Sequence, residues 1–305
     1  MARQRKNLRN IHGILSLDKP VGISSNAALQ DVKRLFRARK AGHTGSLDPI
    51  ASGLLLICFG EATKLSAFLL EADKRYLAEC TLGVRTATGD AEGEVLERRD
   101  PGRITQSRIR KVLPDFTGLI QQVPPMYSAL KHKGKRLYEL ARAGVQVERP
   151  PRAVNIRRLD LVSLEDERLT LDIECSKGTY IRTLAEDIGE VLGCGAHVSR
   201  LRRTALGPYM ESGMIGMDQL RELADDGMDA LDAVLQPLDS ALSAHPGLVL
   251  NSDMAYYARS GQPVLVPGAP VDDLVRLYDE DNVFLGIGRI LDDGRVAPKR
   301  LVFVD

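Results

Sequence analysis

Long apolar runs are missing from this sequence, and their absence argues against a membrane-spanning protein. The longest run, residues 54–59, is far shorter than the roughly 20 residues that a membrane-spanning helix needs. The first residues carry charge, but no apolar stretch with a small-residue cleavage site follows them. We therefore expect no secretory signal, no membrane association and a cytoplasmic location. The apolar run itself predicts a buried strand.

Cysteine and histidine are scarce and scattered, which argues against disulfides and metal sites. The cysteines are Cys58, Cys80, Cys175 and Cys194. They lack the paired spacing of metal ligands, and a cytosolic chain keeps its thiols reduced, so we expect small buried apolar residues. The five histidines form no short-spaced cluster with acids or cysteines. The sequence therefore predicts no metal.

The net charge of +1 conceals an uneven distribution of charged residues. Residues 1–40 carry ten Lys and Arg against two acids, and residues 131–158 carry nine against two. Residues 211–240 carry eight acids against Arg221 alone. This pattern predicts one basic and one acidic face. A polyanionic partner would suit the basic face, because neutralising phosphates dominates nucleic-acid affinity.

The composition is that of a globular protein, with 44% hydrophobic and 27% charged residues. At 305 residues, one large domain with a smaller one appended is the natural expectation. Strand and helix patterns alternate as far as residue 192, which predicts an α+β (mixed α/β) fold with much antiparallel pairing. The expected elements are strands at 11–17, 75–82, 153–163 and 168–176, helices at 25–38, 61–70 and up to 192, and a polar loop at 84–93. After a helical acidic stretch, short strands at 274–278, 283–290 and 301–304 place a domain boundary near 245.

A loop at residues 41–53 concentrates polar residues between three glycines and ends in a buried strand. Asp48 precedes Pro49, which restricts its backbone. A phosphate-binding loop is disfavoured, because Ser46 and Leu47 stand where Lys and Ser or Thr would be needed. On local chemistry alone, a structural Asx turn at Asp48 is favoured over a catalytic carboxylate.

A resemblance that spans about 200 residues reverses this preference. In chain order, the matching segments are Leu17–Gly22, Gly42–Leu55, Lys74–Tyr76, Gly83–Gly93, Pro124–Lys131 and Lys177–Arg182. Together they resemble the motifs of the TruB family of pseudouridine synthases. Ile50 and Ser52 stand where Leu and Thr would be expected, which are conservative differences.

The resemblance implies a reaction, a fold and a partner. The reaction breaks the bond from uracil N1 to ribose C1′, turns the base and joins C5 to C1′, without any cofactor. It isomerises uridine at position 55, in the T-loop of tRNA, so the partner is the T-arm stem-loop. The implied fold is a pseudouridine-synthase domain at 1–245, its largely antiparallel mixed sheet flanked by helices. This domain carries a basic insertion at about 126–151. It is followed by a small β-rich, PUA-like RNA-binding domain at 246–305. We expect a monomer without an obligate protein partner.

The resemblance also implies roles for individual side chains. Asp48 matches the catalytic carboxylate, and Arg182 is the cation expected to keep it charged through a forked guanidinium. Tyr76 matches the residue that stacks on the flipped uracil, and its hydroxyl offers a second role in removing the C5 proton. Tyr180 and Leu201 match residues that line the same pocket. His43 matches the residue that fills the gap left by the flipped base.

Basic side chains are the expected phosphate contacts. The insertion resembles the family's mobile thumb, with Lys131, Lys133, Lys135, Arg136 and Arg142. Further contacts are expected from Lys19, Lys64, Arg200, Arg202 and Arg203. Two alternatives remain: a non-catalytic tRNA-binding or tRNA-folding protein, and a glycoside hydrolase. The second would need a partner acid for Asp48, which is not evident.

Overall fold

A ten-stranded mixed sheet and a separate five-stranded sheet organise the computed structural model, which describes residues 8–270 and 273–304. The strands are β1 (Gly13–Lys19), β2 (Ala41–Thr44), β3 (Ala51–Phe59), β4 (Lys74–Leu82), β5 (Val84–Thr86), β6 (Val95–Arg98), β7 (Gly118–Gln122), β8 (Lys131–His132), β9 (Lys135–Arg136), β10 (Arg152–Glu165), β11 (Arg168–Cys175), β12 (Ala196–Leu206), β13 (Tyr209–Met210), β14 (Ile215–Gly216), β15 (Gly247–Val249), β16 (Val264–Leu265), β17 (Leu274–Tyr278), β18 (Phe284–Ile290) and β19 (Arg295–Leu301). The helices are α1 (Ser25–Leu35), α2 (Ser66–Glu71), α3 (Gln106–Val112), α4 (Leu137–Arg142), α5 (Ile181–Val191), α6 (Met217–Asp226), α7 (Met228–Asp232) and α8 (Ser252–Arg259).

The large sheet is mostly antiparallel, as predicted. Its strand order is β14-β1-β3-β12-β4-β11-β10-β7, with β2 paired to β3 and β13 paired to β12. Among the described strands of this sheet, only the β1–β14 and β3–β12 pairs are parallel. Helices α1, α3, α5, α6 and α7 contribute side chains to the core of this sheet, which confirms the predicted mixed α/β fold class.

The apolar run at 54–59 forms the second half of β3, in the middle of the large sheet. All of its side chains are fully buried, because a central strand is covered on both faces. The predicted buried strand is confirmed. This strand fixes the position of the polar loop at 41–53, because the loop leads directly into it.

Helix α1 begins where the sequence predicts and ends earlier. The Ser24 side chain accepts a hydrogen bond from the Ala27 N–H, which satisfies a free donor of the first turn. The predicted end was residue 38, but the helix stops at Leu35. Arg37 has a φ of 50°, a left-handed conformation that cannot continue a right-handed helix.

Several expected elements differ from the structure. The predicted polar loop at 84–93 begins as strand β5, and the chain after the loop forms β6, which pairs with β5. Strand β12 was not expected, because its three arginines hide the alternation of a strand. The predicted strand at 301–304 is wrong, since β19 ends at Leu301, and α8 interrupts a region expected to hold only strands.

The five-stranded sheet has the order β15-β17-β18-β19-β16 and begins at Gly247. Ile287 and Val302 from this part of the chain share one apolar cluster with Ile14, Leu54 and Leu56 of the large sheet. The two sheets are therefore joined by a common core. The boundary near 245 stays a prediction.

The basic and acidic stretches do not form fully separate faces. Arg9 is ion-paired with Asp232, so the acidic stretch neutralises part of the N-terminal basic stretch. Arg3, Arg5 and Lys6 lie outside the described residues. All four cysteines are free and buried, as predicted. Among the described helices, none is long and apolar enough to cross a membrane.

We predict that Ile287→Ala lowers the free energy of unfolding by about 2–5 kcal/mol, because it leaves a cavity in the core shared by the two sheets. The control is Val283→Ala, at a half-exposed position just before β18, where about 0.5 kcal/mol or less is expected. Urea unfolding measured by circular dichroism compares the two. Equal losses would contradict a shared core.

Candidate active site

The backbone around Asp48 is held in place by neighbouring elements. The Leu47 N–H donates to the Ser25 hydroxyl oxygen at 2.7 Å, and that hydroxyl donates to the Leu47 carbonyl at 3.0 Å. On the other side, the Ala51 N–H donates to the Asp48 carbonyl at 3.0 Å. Earlier in the loop, Gly45 has a φ of +70°, which favours glycine. The loop therefore presents Asp48 from a fixed backbone.

The Asp48 carboxylate pairs with a cation rather than capping its own turn. Arg182 Nε lies 3.0 Å from Asp48 Oδ2. Arg182 Nη1 donates to the Thr88 carbonyl at 2.7 Å, and Nη2 donates to the Tyr127 carbonyl at 2.8 Å. Arg182 Nη1 also lies 3.6 Å from Asp90 Oδ2. The expected fork onto Asp48 is therefore a single contact, because the other nitrogens bind carbonyls.

Burial and nearby charge act in opposite directions on Asp48. Burial raises the pKa of this carboxyl, the Arg182 cation opposes the rise, and the Asp90 charge adds to it. The net result is a pKa above the ordinary aspartate value. Arg182 is therefore the main group that keeps Asp48 ionised, with a smaller contribution from Lys19.

A cavity of about 320 Å³ opens in front of this ion pair. Five predicted site residues line it: Asp48, Tyr76, Tyr180, Arg182 and Leu201. Its volume lies at the lower end of ligand pockets, which run from about 300 to 1,000 Å³. The fold thus brings together residues from five separate segments of the chain.

Tyr76 and Tyr180 form aromatic parts of the cavity wall. Tyr76 lies on β4 between Ile173 on β11 and Arg203 on β12. Burial raises the pKa of Tyr76, although the Arg203 cation opposes this. A phenol with a raised pKa stays protonated at neutral pH. The ring of Tyr76 lines the cavity, and its role in removing the C5 proton stays a prediction. The Tyr180 backbone is held by Gln122, whose side chain accepts from the Tyr180 N–H and donates to its carbonyl.

His43 lies on β2, opposite Ile57 of β3. Its Nδ1 is buried and has no hydrogen-bond partner within the described part of the chain. Burial and the Arg203 charge lower the pKa of His43. The imidazole is therefore neutral, and its Nδ1 is available for a further hydrogen bond.

Lys19, one of the expected phosphate contacts, points into the protein. Its side chain is fully buried, and Nζ donates to the Pro20 and Ile23 carbonyls, each at 2.8 Å. Burial lowers the pKa of Lys19 to about 8. Its ammonium does not face solvent in this structure, so a phosphate contact would require the side chain to move.

Lys64 and Arg202 also have partners within the chain and lie outside the cavity lining. Lys64 pairs with Glu61 and lies 5.1 Å from the Phe303 ring centroid. Arg202 binds both carboxylate oxygens of Asp18, at 3.0 and 2.9 Å, and pairs with Glu211. Both are partly exposed. Their phosphate contacts stay predictions.

The structure adds residues that the sequence did not single out for this site. Asp90 is buried beside Arg182; the polar loop at 84–93 was evident in the sequence, but nothing selected this acid within it. Arg203, expected to contact phosphate, lines the cavity and is buried. The Ser128 hydroxyl is also buried in the lining. Only the pairing of distant segments reveals these three.

Models of known protein families match most of the chain. Residues 33–181 match the TruB family pseudouridylate synthase (N terminal domain). Residues 182–243 match the tRNA pseudouridylate synthase B C-terminal domain, and residues 246–302 match the C-terminal domain of pseudouridine synthase II TruB.

Relatives of known name match along nearly the whole length. A protein of Nitrosococcus oceani named tRNA pseudouridine synthase B is 56% identical over 304 residues, which is 99% of each chain. A protein of the same name from Coxiella burnetii is 53% identical over 96% of each chain.

Solved structures share the fold. A chain of a Cbf5-Nop10-Gar1 complex superposes with a TM-score of 0.72 at 27% identity, over 92% of this chain and 78% of that one. A chain of an H/ACA RNP bound to a substrate RNA containing 2′-deoxyuridine gives a TM-score of 0.74 at 24% identity, over 96% and 85%. With three family models and full-length relatives in agreement, the chain belongs to the TruB family of pseudouridylate synthases.

Proposed function

We propose that this chain is a tRNA pseudouridine synthase that isomerises uridine at position 55, in the T-loop of tRNA. The observation that carries the proposal is the Asp48–Arg182 ion pair at the wall of a cavity that also holds Tyr76, Tyr180 and Leu201. The full-length similarity to proteins named tRNA pseudouridine synthase B supports tRNA as the substrate. Such a substrate places the protein in the cytoplasm.

Asp48 is the catalytic carboxylate in this proposal. The reaction breaks the N1–C1′ and C5–H bonds and forms the C5–C1′ and N1–H bonds. It is therefore an isomerisation without net oxidation, in which the C5 proton passes to solvent and N1 takes up a proton. An ionised carboxylate suits this chemistry, because it can engage an electron-poor carbon and leave again. Arg182 supports it by opposing the rise in pKa that burial causes.

The target base must leave its stack to reach Asp48, at a cost of a few kcal/mol. The Tyr76 ring offers a flat surface that replaces part of the lost stacking, and Tyr180 and Leu201 line the same cavity. His43 occupies the gap in the RNA. A neutral imidazole with an unpartnered nitrogen suits that position, since it can both stack and form hydrogen bonds.

The insertion at 126–151 acts as a thumb on the RNA. Its five basic side chains, Lys131, Lys133, Lys135, Arg136 and Arg142, are all exposed. Its root is bonded to the catalytic centre, since Arg182 donates to the Tyr127 carbonyl. The unit at 246–305 adds a PUA-like RNA-binding surface to the catalytic domain at 1–245. The enzyme acts as a monomer without an obligate protein partner.

We predict that Asp48→Asn abolishes turnover and preserves RNA binding. The neutral amide cannot act as the carboxylate, so the rate should fall by at least about 1,000-fold. The assay is tritium release from C5-labelled uridine in an unmodified tRNA transcript, with affinity measured by filter binding. Asp225→Asn, at an exposed position of α6, is the control and should retain the wild-type rate.

Two outcomes of that assay would count against the proposal. A wild-type protein that binds tRNA without releasing tritium would favour the non-catalytic RNA-binding alternative. An Asp48→Asn variant with the wild-type rate would remove Asp48 from the chemistry while leaving the reaction class intact.

We predict that kcat/KM falls as the pH drops through the pKa of Asp48, because the carboxylate becomes protonated. Since Arg182 lowers this pKa, Arg182→Met should raise it and move the acid limb of the profile to higher pH. Arg110→Met, at an exposed position of α3, should leave the acid limb unchanged. A profile of kcat/KM against pH for the three proteins tests this. An unmoved acid limb in Arg182→Met would contradict the electrostatic role.

We predict that replacing Lys131, Lys133 and Lys135 by Gln weakens tRNA binding and makes it less sensitive to salt. Each lost phosphate contact should reduce the slope of log K against log salt by about 1. Lys111→Gln, at an exposed position outside the insertion, is the control. Titrations between about 50 and 200 mM salt measure the slopes. An unchanged slope in the triple variant would show that the insertion does not contact phosphates.

A further inference from the structure

Arg203 is a buried cation at the junction of three parts of the proposed site. Its side chain is among the largest fully buried ones in the protein, and the residue is 1% exposed. Its Nε donates to the Leu54 carbonyl at 2.6 Å, and Nη2 donates to the Gly45 carbonyl at 3.0 Å. One guanidinium therefore ties the start of the Asp48 loop to the core strand β3.

The third part is Tyr76. Arg203 on β12 lies directly opposite Tyr76 on β4 in the sheet register. Its charge opposes the rise in the pKa of Tyr76 that burial causes. Both side chains line the cavity beside Asp48. The cation thus binds the Asp48 loop and lies opposite Tyr76 in the sheet, and the reaction requires a fixed relative position of these two elements.

The two hydrogen bonds from Arg203 to backbone carbonyls do not by themselves require a charged side chain. Within the described residues, no carboxylate lies within ion-pairing distance of its guanidinium. The pKa of the buried Lys74 is lowered to about 8. Burial is the main cause, and the charge of Arg203 adds to it. A buried ion without a counter-ion costs several kcal/mol. A neutral amide could bind two carbonyls at lower cost, so this arrangement points to a functional use of the cation.

We propose that Arg203 is a positioning residue for pseudouridine formation, which holds the Asp48 loop and the Tyr76 ring in the relative placement that sets the uracil over the carboxylate. This rests on the proposed function. Arg203 is not expected to contact Asp48 or the base. It acts through the Gly45 carbonyl and through Tyr76.

The test compares Arg203→Lys and Arg203→Met with wild type by tritium release, in single-turnover assays with enzyme in excess over tRNA and in multiple-turnover assays that give KM. A small misplacement of reacting groups costs about 100-fold in rate. We expect Arg203→Met to lose about that factor and Arg203→Lys, which keeps the charge and loses the fork, to lose less. KM should stay within about threefold in both, because the RNA-binding surface is untouched. Arg168→Lys, at an exposed position of β11, is the control.

A second comparison separates positioning from folding. In a Tyr76→Phe background, part of the route through which Arg203 acts is already removed, so Arg203→Lys should cost less than it does in wild type. The melting temperature of each variant is measured alongside. Three outcomes would overturn the inference. The first is an equal loss of rate in both backgrounds, the second is a loss of activity that simply follows the melting temperature, and the third is a wild-type rate in Arg203→Lys. An inactive wild-type protein would instead reject the proposed function.

Discussion

The ion pair between Asp48 and Arg182 is the interaction on which the rest of the site depends. Asp48 comes from the loop between β2 and β3, and Arg182 comes from the first turn of α5. The same guanidinium binds the carbonyls of Thr88 and Tyr127. One cation therefore holds together the Asp48 loop, the loop after β5 and the root of the insertion. A lysine could not do so, because it lacks the planar fork of donors.

Several charged side chains in and around this site are buried, which is energetically unfavourable. Asp90 and Arg182 are both buried, and burial raises the pKa of Asp48. Arg203 is another buried cation, and its partners are backbone carbonyls. Charges in such surroundings interact strongly with one another, because little water screens them. A substrate that excludes water from the cavity would strengthen each of these interactions.

Local signals in the sequence predicted several elements well and others poorly. The apolar run at 54–59 and the Ser24 cap predicted β3 and the start of α1, because burial and capping act over a few residues. Strand β12 was missed, because Arg200, Arg202 and Arg203 suggest an exposed segment. In the structure Arg203 is buried on backbone carbonyls, whereas Arg202 pairs with Asp18 and Glu211. Partners supplied by distant strands made that strand possible.

The sequence by itself determined the family, the class of fold and the identity of the candidate carboxylate, because motifs in order along the chain carry that information. It also selected five residues that line one cavity. Only the tertiary structure decided what surrounds Asp48: the single contact with Arg182, the presence of Asp90, and the inward direction of Lys19 and Arg203. Whether an arginine faces solvent or the core depends on acceptors from other segments. Those acceptors are set by strand pairing, which no local pattern records.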